Sequence, residues 1–211
     1  MTDATLTAEK LLQAGAVRLR PQEPFTWASG WKSPIYCDNR QLLSLPFIRE
    51  YIKSELCNVI FERFPETELV AGVATAGIPW GAMVADQLKL PFIYVRPKPK
   101  EHGLGNQIEG QYQAGQKTIV VEDLISTGKS SLQVVDVLSK QEMPVIGMVS
   151  IFNYQFNQAR EAFENAGIPY VSLTDYPSLI QLAQQKGIIE ERELEVLLKW
   201  RDDPANWTGV Y

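Results

Sequence analysis

Residues 120–131 read VVEDLISTGKSS, an apolar run ending on two adjacent acids, then small and hydroxylated residues, then a helical pattern. Backbone N–H groups that point one way at a helix N-terminus hold a phosphate dianion, because unpaired donors and helix dipole act together. Ile125, Ser126, Thr127, Gly128, Lys129 and Ser130 are therefore candidate phosphate-binding residues. Glu122 and Asp123 would stand at the strand's end as a carboxylate rim for sugar hydroxyls or for a cation held by the ligand. Such a site asks for a ligand with both phosphate and hydroxyls. The run Gly128-Lys129-Ser130 suggests a nucleoside-triphosphate loop, but that loop needs a glycine at position 123, where this chain has an aspartate. The competing reading is an ordinary strand-turn-helix in which Ser126 caps the helix and Asp123 faces water.

A second cluster lies in residues 96–110, RPKPKEHGLGNQIEG, where Arg96, Lys98, Lys100 and the single histidine, His102, occupy alternate positions. Pro97 and Pro99 favour an extended backbone, on which alternate side chains share one side and could converge on a diphosphate. Gly103 and Gly105 supply soft torsions for a lid that orders on substrate. Without a ligand, the same text describes a solvated basic hairpin.

Upstream, residues 25–40 read FTWASGWKSPIYCDNR. Gly30 and Pro34 bracket a tight turn that would present Lys32 beside hydroxyls, a clamp for a planar carboxylated ring; the alternative is a surface β-hairpin. Residues 72–81, GVATAGIPWG, form a further strand-to-helix turn whose amides could meet a diphosphate.

The elements that must position these groups follow from periodicity. A short helix over 7–14 stops at Gly15 and is followed by a strand at 17–19. Ser44 is placed to cap a helix with Pro46 in its first turn and an apolar stripe of Ile48, Tyr51, Ile52, Leu56, Val59 and Ile60. From residue 69 strands and helices alternate: strands at 69–73, 92–95, 118–121, 145–151 and 170–173, helices at 78–89, 129–140 and 157–165. Near-continuous apolar strands indicate a mainly parallel sheet flanked by helices. Two tail helices, 179–185 and 191–200, are split by Gly187. The expected organisation is a single domain over residues 1–211, with a small N-terminal hood (1–43) and an α/β core with C-terminal helices (44–211).

A net charge of −5 argues against a broad nucleic-acid surface. Two cysteines are too few for a disulfide scaffold and lack metal-ligand spacing. The first residues form no signal sequence and no later run is long and apolar enough to span a bilayer, so a cytoplasmic protein without membrane partners is expected.

With these motifs in place, the acidic-pair run resembles the phosphoribosyl-diphosphate motif of type I phosphoribosyltransferases. Arg96, Lys100 and His102, with Ser29-Gly30, Ser33-Pro34, Tyr36, Asp38 and Arg40, are similar to the orotate phosphoribosyltransferases among them. The resemblance implies the type I phosphoribosyltransferase fold and transfer of a phosphoribosyl group from 5-phosphoribosyl 1-diphosphate to orotate, giving orotidine 5′-monophosphate and diphosphate in pyrimidine biosynthesis. It also implies Mg2+ bound mainly through the substrate and not by a protein metal site, and a homodimer whose loops complete each other's sites. By the same resemblance Lys100, His102 and Asp123 are the catalytic candidates. Arg96, Lys100, His102, Glu122, Asp123 and residues 124–130 would bind phosphoribosyl diphosphate, and Ser126 and Lys32 the orotate. Ala28, Ala76 and Pro97 depart from the family pattern, which often has lysine there, and 152–154 reads Phe-Asn-Tyr where many relatives place an arginine for the substrate carboxylate. Competing functions are a purine phosphoribosyltransferase and a non-catalytic nucleotide- or RNA-binding regulator on the same fold.

Overall fold

Residues 3–27, 29–99 and 107–209 are described by the structure, a computed structural model. Helix α1 (Ala4–Gln13) begins earlier than its apolar pattern, because the Asp3 carboxylate accepts from the amides of Thr5 and Leu6 and satisfies two of the free donors there. Strand β1 (Val17–Leu19) pairs antiparallel with β4 (Ile35–Cys37), and between them β2 (Phe25–Thr26) and β3 (Lys32–Ser33) form a hairpin. A 3-10 turn, Asn39–Ser44, leads into α2 (Pro46–Arg63). Ser44 does not cap α2: its hydroxyl donates to the Gln41 carbonyl and closes the 3-10 turn, so Leu45 stands at the cap without a side-chain bond.

The core continues as β5 (Leu69–Val73), α3 (Gly77–Leu88), β6 (Phe92–Val95), β7 (Ile108–Glu109), β8 (Thr118–Ile125), α4 (Lys129–Ser139), β9 (Val145–Asn153), α5 (Asn157–Ala166), β10 (Tyr170–Asp175), α6 (Tyr176–Gln185) and α7 (Glu191–Asp202). The central sheet runs β10-β9-β8-β5-β6-β7; all neighbours are parallel except the edge pair β6–β7.

Alternation along the strands feeds two cores. Val70, Ile119, Val121, Val149 and Ile151 join Trp80 and Val84 of α3 and the apolar faces of α1, α2, α6 and α7 on one face. Ala71, Val73, Val120 and Met148 meet Val134 and Leu138 of α4 and Phe163 of α5 on the other. Helix α3 thus leaves β5 on one face and α4 leaves β8 on the opposite face. Parallel sheets open a ligand crevice at the carboxyl ends of the two strands where connections diverge, here β5 and β8.

Strands β8, β9 and β10 run past their expected ends by two to four residues. In β8 the extension matters, since Glu122 and Asp123 lie inside the paired strand and Leu124 and Ile125 still face Phe152 and Asn153 of β9.

Candidate active site

At the end of β8 only Ser126, Thr127 and Gly128 remain as turn before α4 begins. Leu124 and Ile125 pack into the cores on opposite faces, so they bring backbone and not side chain to the crevice. Gly128 holds φ at 77°, in the left-handed region, where a Cβ would also sit 3.0 Å from the Phe163 ring. The first bond of the helix runs from the Leu132 amide to the Gly128 carbonyl at 2.9 Å, which leaves the amides of Lys129, Ser130 and Ser131 without a helical acceptor. Among the described residues no side chain caps this end, so Ser126 is not the helix cap that an ordinary strand-turn-helix would make of it. Open donors at an uncapped terminus are what an anion needs.

The two acids differ in environment. Glu122 is 5% exposed; its Oε1 accepts from the Asp123 amide at 3.1 Å and its Oε2 faces the Ser131 hydroxyl at 3.5 Å. Burial, reinforced by the neighbouring Asp123 charge, pushes its carboxyl well above the ordinary range. Asp123 is half-buried and is also raised, chiefly by burial, while Arg40 opposes the shift. A carboxyl pair that resists double ionisation holds less charge when empty than two free acids, and gains from ligand hydroxyls or a ligand-borne cation.

Helix α3 completes the crevice. A Cβ on Gly77 would lie 2.5 Å from the Val121 carbonyl oxygen, so only glycine lets this helix start directly against β8. The preceding turn, Ala74-Thr75-Ala76, stands at the end of β5, and the Ala74 amide donates to the Val95 carbonyl at the end of β6. Arg96 follows at once, ion-paired at 3.8 Å with Glu109. It lines one small cavity with Ala74, Pro97, Ser130 and Gln133, so residue 96 lies beside the start of α4. Lys100 and His102 lie outside the described residues, as does Ala28.

The N-terminal segment reaches the same place. The 3-10 turn packs on β8, with the Asn39 side chain donating to the Asp123 carbonyl at 2.7 Å. Arg40 pairs with Asp38 at 2.6 Å, and that hydrogen bond holds the Asp38 carboxyl below its ordinary value. Lys32 is farther from these groups in its contacts: its ammonium donates to the Thr26 hydroxyl at 2.9 Å on an exposed hairpin, and among the described residues no hydrogen bond or ion pair joins it to the turn after β8. The Ser33 hydroxyl points inward to the Ile35 carbonyl. Residues 152–154 are all buried, with Tyr154 in an aromatic group of Trp27, Phe156, Tyr176 and Trp200.

Against known proteins, the pattern of the phosphoribosyl transferase domain matches residues 48–173. An orotate phosphoribosyltransferase from Bacteroides thetaiotaomicron is 54% identical over 202 residues, 96% of this chain and 95% of that protein. The chain belongs to the orotate phosphoribosyltransferases. The solved structure of an orotate phosphoribosyltransferase from Aeropyrum pernix superposes with a TM-score of 0.74 at 32% identity, covering 87% of this chain and 99% of that one. The Leishmania donovani UMP synthase shares the fold (TM-score 0.78, 23% identity), with 94% of this chain covering 42% of that longer protein. In this type I phosphoribosyltransferase fold the crevice at β5 and β8 unites the acidic pair, the open amides of α4 and Arg96. Sequence reasoning passed over Asn39, whose buried contact to Asp123 spans 84 positions; an amide between two charged residues at the end of a strand carries no local signal of that reach.

Proposed function

We propose that the protein transfers the 5-phosphoribosyl group of 5-phosphoribosyl 1-diphosphate to N1 of orotate, forming orotidine 5′-monophosphate and releasing diphosphate in pyrimidine biosynthesis. The observation that carries this reading is an acidic pair at the end of β8, set one short turn before an uncapped helix. The amides from Ser126 to Ser130 hold the 5′-phosphate, with Lys129 adding charge, and Asp123 takes the ribose hydroxyls with Glu122 behind it. Anchoring that remote end orients C1′ toward the base, so binding energy serves the transfer. As the C1′–N1 bond forms and the bond from C1′ to the diphosphate oxygen breaks, cation character grows on the ribose and negative charge on the leaving group. The acids favour the first; Arg96, Lys100 and His102 neutralise the second.

Among the described residues no three His, Cys, Asp or Glu side chains gather as a metal cage. The two adjacent carboxyls at the crevice suit a cation that arrives on the ligand. Mg2+ on the diphosphate would supply further charge neutralisation, with Asp123 and Glu122 facing it through hydroxyls or water. Ser126 meets the orotate, and Lys32 its carboxylate. We further propose a cytoplasmic homodimer in which Lys100 and His102 act in the partner's site, each chain being one domain with residues 1–43 as its hood.

The test is to mix protein, Mg2+ and phosphoribosyl diphosphate with orotate, adenine, xanthine or uracil in turn and follow base absorbance. Orotate alone should be consumed. Consumption of a purine, or RNA binding with no base consumed, would overturn the assignment.

A further inference from the structure

We infer that Asn39 is a positioning residue: its amide ties the N-terminal strands to the backbone of Asp123 and so fixes the carboxylate that receives the ribose. The inference rests on the transferase reading above. Asn39 has no exposed surface, and a side-chain amide is buried at such a point only when its donors and acceptor are matched. Its Nδ2 lies 2.7 Å from the Asp123 carbonyl oxygen. A carbonyl can only accept, so the NH2 group must face it and Oδ1 must face the other way.

There Oδ1 meets the Cys37 sulfur at 3.4 Å. The bond requires a protonated thiol, and burial with the charges of Asp123 and Asp38 pushes Cys37 well above its ordinary value. The result is a one-directional line: Cys37 S–H donates to Asn39, and Asn39 N–H donates to Asp123. Cys37 ends β4, which β1 holds through the Val17–Cys37 pairing, so the line is anchored in an antiparallel pair outside the central sheet. On the exposed side Asp38 accepts from the Arg40 amide and guanidinium, which fixes the turn that carries Asn39.

Asp123 lies in β8, where the pairings of Glu122 with Ser150 and of Leu124 with Phe152 hold the strand on either side of it. The Asn39 contact adds a side-chain bond to this residue's carbonyl from outside the central sheet. Its loss should free Asp123 to shift and weaken the grip on ribose, without touching the base or the diphosphate.

Steady-state kinetics on Asn39→Leu, Asn39→Asp, Cys37→Ala and Cys37→Ser separate this role from a general packing role. For both Asn39 variants the KM for phosphoribosyl diphosphate should rise about tenfold, with the KM for orotate within about twofold of wild type, since one hydrogen bond to a ligand-positioning group has that weight. Cys37→Ala should give about a threefold rise in the same constant and Cys37→Ser should restore it, which keeps the line testable if an Asn39 variant fails to fold. The inference is overturned if wild type consumes orotate while the variants keep their phosphoribosyl-diphosphate KM, or if both KM values rise together. Failure of wild type to consume orotate would instead remove the transferase reading itself.

Discussion

At the residue scale the site is governed by two carboxyls that share little water. Glu122 keeps its proton to higher pH in the native state than its ordinary value near 4.5 allows in the unfolded chain. Above that ordinary value the native state binds more protons than the unfolded state, so stability falls as pH rises until the native carboxyl has also ionised. Glu122→Gln removes this loss. Relative to wild type, its melting midpoint in the ligand-free state should gain about 3 °C between pH 4.5 and pH 8, the shift about 1 kcal/mol makes in a domain of this size. Thermal scans at both pH values check this; an unchanged gap would mean that Glu122 is already ionised in the fold. The same substitution should weaken binding of phosphoribosyl diphosphate, so stability and function move in opposite directions at this position.

At the element scale the crevice exists because α3 and α4 start almost on the sheet. Gly77 makes that possible for α3, and Gly77→Ala forces a methyl against the Val121 carbonyl oxygen. The expected cost is about 2 kcal/mol, or about 6 °C in melting midpoint, together with weaker diphosphate binding as the 74–76 turn shifts. Thermal denaturation and binding titrations read both.

Much of this scale was legible beforehand. β5 and β6 begin and end where their apolar runs do, because no polar residue interrupts them. The end of β8 was not, since two acids read as the end of pairing, although β9 is long enough to continue the ladder beneath them. Ser44 does not make the expected helix cap because a 3-10 turn uses that hydroxyl, and its bond depends on a geometry that residue identity does not reveal. The acidic pair, the small-residue turn and Arg96 were recognisable from local text. Lys32 was read from its neighbours in sequence, and its contacts depend on the hairpin's docking: the Trp200 indole of α7 donates to the Lys32 carbonyl at 3.0 Å across 168 positions.

At the scale of the whole molecule the proposed function gives the phosphate end of the ligand to the turn after β8 and the leaving group to the cationic segment that follows β6. If Lys100 acts in the partner's site, two defective variants should repair each other. Lys100→Ala alone should lower turnover about a hundredfold, as loss of a transition-state cation does, and Asp123→Asn should also be nearly inactive. Mixed and allowed to exchange subunits, they form heterodimers with one intact site, so activity should recover to about a quarter of wild type. Absence of recovery after demonstrated exchange would place Lys100 in its own chain's site.

The most direct test is a crystal structure with phosphoribosyl diphosphate and Mg2+. The 5′-phosphate should lie within hydrogen-bond distance of the amides between Ser126 and Ser130, with the ribose hydroxyls against Asp123. A phosphate seated elsewhere, with the turn between β8 and α4 holding only water, would contradict the account.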